Sequence, residues 1–321
     1  MLVSVVIRTL NEARYIADLL EMIDRQELGK DLRSEVVLVD SGSTDGTVEI
    51  ARARGCRITT IDKQEFSFGR SLNRGCDVAE GEILVFVSGH CVPTGPHWLR
   101  DLCQPIRDGV VSYTYGGQAG DDDSNFAERR IFAKYFPERS QIPQEGFFCN
   151  NANAAVRRSA WAAFRFDEEL TGLEDMYLAK QMVAAGHKVG YVAPACVFHH
   201  HDESWATVRR RFEREAIALQ RIMPEVQISR WDVVRYVLSS VWMDCRSALR
   251  HGKSPLCFYD ILRYRIAQYG GSYAGNHDHR RLSQSRKELF FYPSLEANNT
   301  ENDRLRPNRR LAPHEGQQSE S

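Results

Sequence analysis

Val3-Ser4-Val5-Val6-Ile7-Arg8-Thr9-Leu10-Asn11-Glu12 opens the chain, and Val36-Val37-Leu38-Val39-Asp40-Ser41-Gly42-Ser43-Thr44-Asp45-Gly46 follows it after one amphipathic segment. In each stretch a short run of β-branched and aliphatic residues breaks abruptly into polar ones. Apolar runs of this length, bounded by turn formers, read as buried strands. Between them Ile16, Leu19, Leu20 and Ile23 recur at helical spacing, so Glu12 to about Arg25 reads as a helix. The alternation continues with a helix over Thr47–Arg54, a strand over Arg57–Ile61, a helix over Ser71–Glu80 and a strand over Ile83–Val87. Strands separated by helices imply an α/β fold with a parallel sheet and right-handed crossovers.

Ligands of open α/β sheets sit at the carboxyl ends of the strands, and both polar segments fall there. Asp40 can accept hydrogen bonds from a base imide or a ribose hydroxyl, and the Gly and Ser residues let backbone approach a ligand. The same residues would equally serve as turns and helix caps. Together the two segments resemble the opening of glycosyltransferase family 2, whose GT-A fold is a Rossmann-like, mixed and mainly parallel sheet flanked by helices. Phe66-Ser67-Phe68-Gly69-Arg70-Ser71-Leu72-Asn73-Arg74-Gly75 resembles the nucleotide-contacting segment of its bacterial rhamnosyltransferase-like members. The resemblance implies a nucleotide pocket lined by Thr9, Asn11, Glu12, Asp40, Ser41, Arg70, Asn73, Ser88 and Gly89. Arg70 has a physical case of its own, because a guanidinium suits base stacking or phosphate pairing; as a loop cation it would simply be solvated.

Val85-Phe86-Val87-Ser88-Gly89-His90-Cys91 ends the fourth strand, with Trp98 shortly after. In the family this strand end carries an Asp-x-Asp motif that holds a divalent metal, Mn or Mg, bridging the two phosphates. Here Ser88-Gly89-His90 stands in its place. Serine is a poor metal ligand, and neutral imidazole suits Mn, Co, Fe or Zn better than Mg. Either His90 replaces the last Asp as a ligand, or cationic side chains neutralise the diphosphate without metal. In Val197-Phe198-His199-His200-His201 the resemblance implies a second ligand at His199, with His201 next because alternate residues of an extended chain share a face. A surface histidine cluster is the plain alternative.

Cys149-Asn150-Asn151-Ala152-Asn153-Ala154-Ala155-Val156-Arg157 resembles the family's acceptor-side strand, which implies that Asn151 and Asn153, with Trp98, contact donor or acceptor sugar. Polar strand-end capping would use the same asparagines. Gly172-Leu173-Glu174-Asp175 resembles the acidic pair that opens a helix in the family, and its Asp is the general base. The chemistry needs one, since an acceptor hydroxyl must lose a proton as it attacks the anomeric carbon. Asp175 is the expected base, with Glu174 supporting it or binding acceptor; both could instead be helix-dipole caps. Of the arginines at 209, 210, 211 and 214, some could steady a diphosphate leaving group, the rest forming a solvated face.

The resemblance covers about residues 1–220. It implies a catalytic domain over 1–222; beyond it the residues themselves read as a helical extension over 223–283 and a polar tail over 284–321. The implied reaction is inverting transfer of a sugar from a UDP-, GDP- or dTDP-sugar to a hydroxyl of a glycan or lipid-linked saccharide, as in cell-surface polysaccharide synthesis. Forty-two basic and 43 acidic residues leave a net charge of −1, which gives no global basic surplus for nucleic-acid binding. Eight cysteines without a CxxC pair read as reduced thiols in a cytoplasmic protein. No run reaches the roughly 18–20 apolar residues of a membrane span. Trp231–Leu249 reads as a helix that packs on the catalytic domain or lies at a membrane surface, giving a peripheral association with the inner face of the cell membrane. Asp121 to Asn125 reads as an exposed loop. Two rivals are a sugar-phosphate nucleotidyltransferase, which would carry a Gly-rich basic loop after the first strand, and a catalytically dead binding or scaffold protein, which the missing Asp-x-Asp favours.

Overall fold

The computed structural model describes residues 1–120, 124–200 and 203–278. His201, Asp121 to Asp123 and the expected tail therefore lie outside the described residues. The elements run β1 (Leu2–Thr9), α1 (Ala13–Asp24), β2 (Arg33–Asp40), α2 (Thr47–Ala53), β3 (Arg57–Thr60), α3 (Phe68–Val78), β4 (Ile83–Ser88), β5 (Cys91–Pro93), α4 (Trp98–Arg107), β6 (Tyr113–Ala119), α5 (Phe126–Tyr135), β7 (Asn153–Arg157), α6 (Arg158–Phe164), α7 (Glu174–Ala184), β8 (Val189–His199), α8 (Trp205–Ile222), α9 (Arg230–Arg250) and α10 (Leu256–Asn276).

The strands form one sheet in the order β3-β2-β1-β4-β7-β6-β8-β5. β1 is parallel to β2 and β4, and β2 to β3, as the alternation requires. β7 then runs antiparallel to β4 and β6, and β5 antiparallel to β8. The sheet is thus mixed, with its parallel half built by the N-terminal alternation. Period-two alternation splits the core. Val3, Val5, Ile7, Ile83, Val85 and Val87 face one side, against Ile16, Leu19, Leu20 and Leu102. Val6, Leu84 and Phe86 face the other, against Leu72, Cys76, Leu178 and Met182. Each such fully buried side chain stabilises the fold by about 1.5–3 kcal/mol before entropy is counted.

A third apolar cluster joins α5 and α8 to α9 and α10 through Ala127, Val208, Ala248, Ile261, Tyr264 and Ala267. α10 lies close along α8. A Cβ at Gly271 or Gly275 would stand 2.2 Å from the Arg209 carbonyl oxygen or 2.1 Å from that of Glu213, so only glycine permits this approach. The middle of the chain, read as irregular, contains α5, capped by Asn125 Oδ1 accepting from the Ala127 amide. Ser124, expected on an exposed loop, is buried.

Candidate active site

The carboxyl ends of β1 and β2 are laced into one floor. Asp40 accepts from the Gly42 and Ser43 amides on one oxygen and from the Thr9 and Ser43 hydroxyls on the other. A carboxylate offers about four acceptor positions, so all of Asp40's are used in shaping the 41–46 turn. In this structure Asp40, expected at the nucleotide, shapes the turn beneath that pocket. Ser41 Oγ donates to the Thr9 carbonyl, and Asn11 Oδ1 accepts from the Thr44 amide. Asn11 itself is exposed and holds φ of 59°.

β5 and β8 bring the two histidines together. Cys91 pairs with His199 across that antiparallel ladder, and the His200 amide donates to the His90 carbonyl. The Nε2 atoms of His90 and His199 stand 3.2 Å apart. His90 Nδ1 meets Glu12 Oε1 at 2.8 Å, and His199 Nδ1 meets Gln118 Oε1 at 2.8 Å. Glu12, expected at the nucleotide, holds an imidazole in this structure. Gly89 makes room for it, since a Cβ there would lie 2.8 Å from Glu12 Cγ.

These partners assign the ring protons. A carboxylate only accepts, so His90 Nδ1 donates. The Ala152 amide donates to Asn150 Oδ1, which also takes a hydrogen bond from Gln118 Nε2. Gln118 therefore turns its oxygen to His199 Nδ1, which must donate as well. Both Nε2 atoms point to the same space, an arrangement that suits a shared proton or a metal. Two imidazole nitrogens bound at about 2.0–2.1 Å to one tetrahedral ion stand about 3.3 Å apart, which matches the observed spacing. The pair fits a divalent cation whose remaining positions go to water or phosphate oxygens. Among the described residues no group of three or more His, Cys, Asp or Glu side chains gathers to hold a metal by itself.

Glu174 and Asp175 open α7 and are both buried. Leu173 before them adopts a left-handed φ of 55°, a conformation uncommon for residues with a side chain and concentrated at functional sites. Asp175 accepts from the Asn151 amide at 2.7 Å and from the Met176 amide at 2.7 Å. Burial, and next the charge of Glu174, push its carboxyl up to about 7. Arg8 Nη1 lies 3.9 Å from Glu174 Oε1. Arg8 and Arg214 sit over the Phe68 ring at 4.6 and 4.4 Å from its centre. Arg8 Nη1, Arg214 Nε and Asn151 Nδ2 are buried without a hydrogen-bond partner among the described residues. Arg8 and Phe68 escaped the sequence reading, and the signal that could have found Arg8 was a cation on an otherwise apolar buried strand. Arg211, one of the candidate leaving-group cations, is instead committed to Glu128 and Glu203.

Three expected site residues turn inward. Trp98 is buried and donates from Nε1 to Asn153 Oδ1, while Asn153 Nδ2 donates to the Gly117 and Ala195 carbonyls. Neither offers a surface to a sugar; they tie α4, β6, β7 and β8 together behind the site. Asn73 is also buried, donating to the Phe166 carbonyl and Glu168 and accepting from Trp161 Nε1 and the Phe166 amide. Arg70 pairs with Glu168 and donates to the Glu65 carbonyl. Asn73→Ala strands several buried polar groups, each costing about 1–3 kcal/mol. A urea midpoint lowered by several kcal/mol of stability is expected, and an unchanged midpoint would mean that this knot is dispensable.

An open, mixed α/β sheet, a buried carboxylate pair opening α7 and two facing imidazoles at the ends of β4 and β8 are compatible with a nucleotide-dependent transferase. The sequence model of Glycosyl transferase family 2 matches residues 4–164, and the chain belongs to that family: it is a glycosyltransferase. Two relatives are O-antigen chain rhamnosyltransferases. RfbN of Salmonella typhimurium is 27% identical over 67% of this chain and 70% of its own length. WbaN of Salmonella anatum is 30% identical over 56% of this chain and 60% of its own length. The fold is similar to that of a mannosyltransferase from Pyrobaculum calidifontis solved with GDP-Man and Mn2+, with a TM-score of 0.60 and 17% identity over 87% of this chain and 88% of that one.

Proposed function

We propose that this enzyme transfers a sugar, with inversion, from a nucleoside-diphosphate donor to a hydroxyl of a glycan or lipid-linked saccharide in polysaccharide synthesis. The observation that carries the reading is Asp175: a carboxylate held by two amides and buried beside a second carboxylate, so that burial and then Glu174 push it up to about 7. That is where a general base serves best. The acceptor oxygen attacks the anomeric carbon as the bond to the diphosphate breaks, and the hydroxyl proton passes to Asp175. Asn151 Nδ2, an orphan donor beside Asp175, orients a sugar hydroxyl. Glu174 keeps Asp175 basic and positions Arg8. Arg8 and Arg214 offer buried positive charge to the leaving diphosphate.

A divalent cation held by His90 and His199 supplies further neutralisation of the diphosphate when bound; two imidazoles favour Mn over Mg. The rhamnosyltransferase relatives favour a deoxyhexose donor, and the Pyrobaculum structure, with GDP-Man and Mn2+, keeps a GDP donor in view. We assign 1–222 as the catalytic domain and 223–283 as its helical extension. Free thiols at all eight cysteines fit a reducing, cytoplasmic setting. Incubation with UDP-, GDP- and dTDP-sugars and a panel of saccharide acceptors tests the reading, with NMR of the product reporting its anomeric configuration. One donor consumed with inversion supports it, while retention of configuration would remove Asp175 as base in a single displacement.

Gln118 holds His199 from behind, so Gln118→Leu is expected to weaken metal affinity by about 10- to 100-fold, the usual effect of losing such an outer partner. Calorimetric titration of chelator-treated protein with Mn2+ checks this, and unchanged affinity would detach Gln118 from the site.

A further inference from the structure

α9 carries an apolar stripe that faces no other part of the described protein. Trp231, Val234, Leu238, Trp242 and Leu249 are 82, 47, 65, 69 and 65% exposed. Their spacing of three, four, four and seven residues puts them on one helix face, about 27 Å long at 1.5 Å per residue. The opposite face is already used. Ser240, Asp244 and Ala248 are buried, Ser240 meets Tyr269 at 2.8 Å, and Asp244 pairs with Arg265 of α10 at 2.6 Å. The fold therefore does not need the stripe. Of the two placements the sequence left open for this helix, packing on the catalytic domain does not cover Val234, Leu238 and Trp242, which point to solvent.

The charge beside the stripe is of one sign. Arg235, Arg246 and Arg250 are exposed on its flank. The carboxylates of α9 are both engaged: Asp244 is buried with Arg265, and Asp232 closes the capping box with Ser229 and pairs with Arg235. Arg246 and Arg250 form no ion pair among the described residues. A row of Trp and Leu edged by unpaired arginines suits a surface that is apolar below and anionic above. No described helix is long and apolar enough to cross a membrane, so α9 would lie in the interface.

We propose that α9 docks the enzyme on an anionic lipid bilayer, with Trp231, Leu238, Trp242 and Leu249 entering the headgroup–acyl boundary and Arg235, Arg246 and Arg250 meeting lipid phosphates. This goes beyond the proposed reaction and does not depend on it. The same geometry would hold for any donor. It brings the enzyme to an acceptor carried on lipid.

Co-sedimentation with vesicles of phosphatidylcholine, alone or mixed with phosphatidylglycerol, tests the proposal without any turnover. The full chain is expected to bind the mixed vesicles and to be released by salt. The double variant W231S/W242S should lose at least about tenfold in partitioning. R246E and R250E should each lose about fivefold or more, the equivalent of about 1 kcal/mol per cation. Unaltered thermal melts would show that these exposed positions leave the fold intact. Failure to bind either vesicle overturns the proposal. So does a dimer in sedimentation velocity that W231S/W242S dissociates, because a second copy would then cover the stripe.

Discussion

Asp175→Asn lowers kcat by about 100- to 10,000-fold, the range a positioned general base contributes, while donor affinity stays close to that of the wild type. The split matters, because Asp175 is bonded to the Asn151 and Met176 amides and not to the floor formed by β1 and β2. The wild-type pH profile gives a second readout. Burial and then Glu174 raise the Asp175 carboxyl to about 7. Below that value the base is protonated, so kcat/KM should climb about tenfold per pH unit and level off above it. Glu174→Gln removes the repulsion but not the burial, so the rising limb should move to lower pH without reaching the range of a free carboxyl. The sign for stability is opposite to the usual carboxylate case. Between the free carboxyl range and about 7 the native protein keeps a proton that the unfolded chain has lost, so stability falls as pH rises through that window. Initial rates across pH 5 to 9 with one donor would check the limb. A profile unmoved by Glu174→Gln, or full turnover in Asp175→Asn, would take the base away from Asp175.

The parallel half of the sheet was legible because Val3 to Ile7, Val36 to Val39 and Ile83 to Val87 are apolar runs cut off by polar turns, and their neighbours have clear helical spacing. α5 was not, because Arg129, Arg130 and Lys134 interrupt its apolar pattern and it is held by tertiary contacts with α10; Asn125 at its start was the one available signal. The ordered motifs singled out Asp175, which the structure buries at the start of α7, and His90 and His199, which it brings to 3.2 Å. Their supports were not singled out. Gln118 lies 81 residues from His199 and meets it only because β6 and β8 are parallel neighbours. Trp98 and Asn153 stood in polar stretches that resemble sugar-binding segments, yet an indole N–H paired with an amide oxygen is a stable core element, and burial is a tertiary fact that a local pattern does not carry. Asp40 and Asn73 show the same ambiguity: side chains able to bind a ligand are equally able to bind backbone, and in this structure both do so.

The cation site yields the second large effect. With Glu12 and Gln118 on the two Nδ1 atoms, the Nε2 atoms of His90 and His199 face each other at 3.2 Å, a spacing that one cation between them would fit. A metal held by both would bring two positive charges to the diphosphate, whereas a shared proton would bring only one. The two outcomes separate in calorimetry on chelator-treated protein with UDP, GDP, dTDP and CMP, each with and without Mn2+ or Mg2+. If the pair binds metal, one nucleotide binds far more tightly with Mn2+. His90→Ala and His199→Ala should then each lose more than the about 10- to 100-fold typical of an outer partner, because each removes a ligand itself. Mn2+ should also outperform Mg2+, since imidazole is a better match for the softer ion. If binding is equally tight without metal and survives both substitutions, the diphosphate charge falls to Arg8 and Arg214, and Arg214→Ala should then cost the affinity that the histidine variants did not. The orphan nitrogens of those two arginines make that outcome chemically sound, while the contacts of Glu12 and Gln118 with the two Nδ1 atoms turn both Nε2 atoms toward one point and favour the metal outcome.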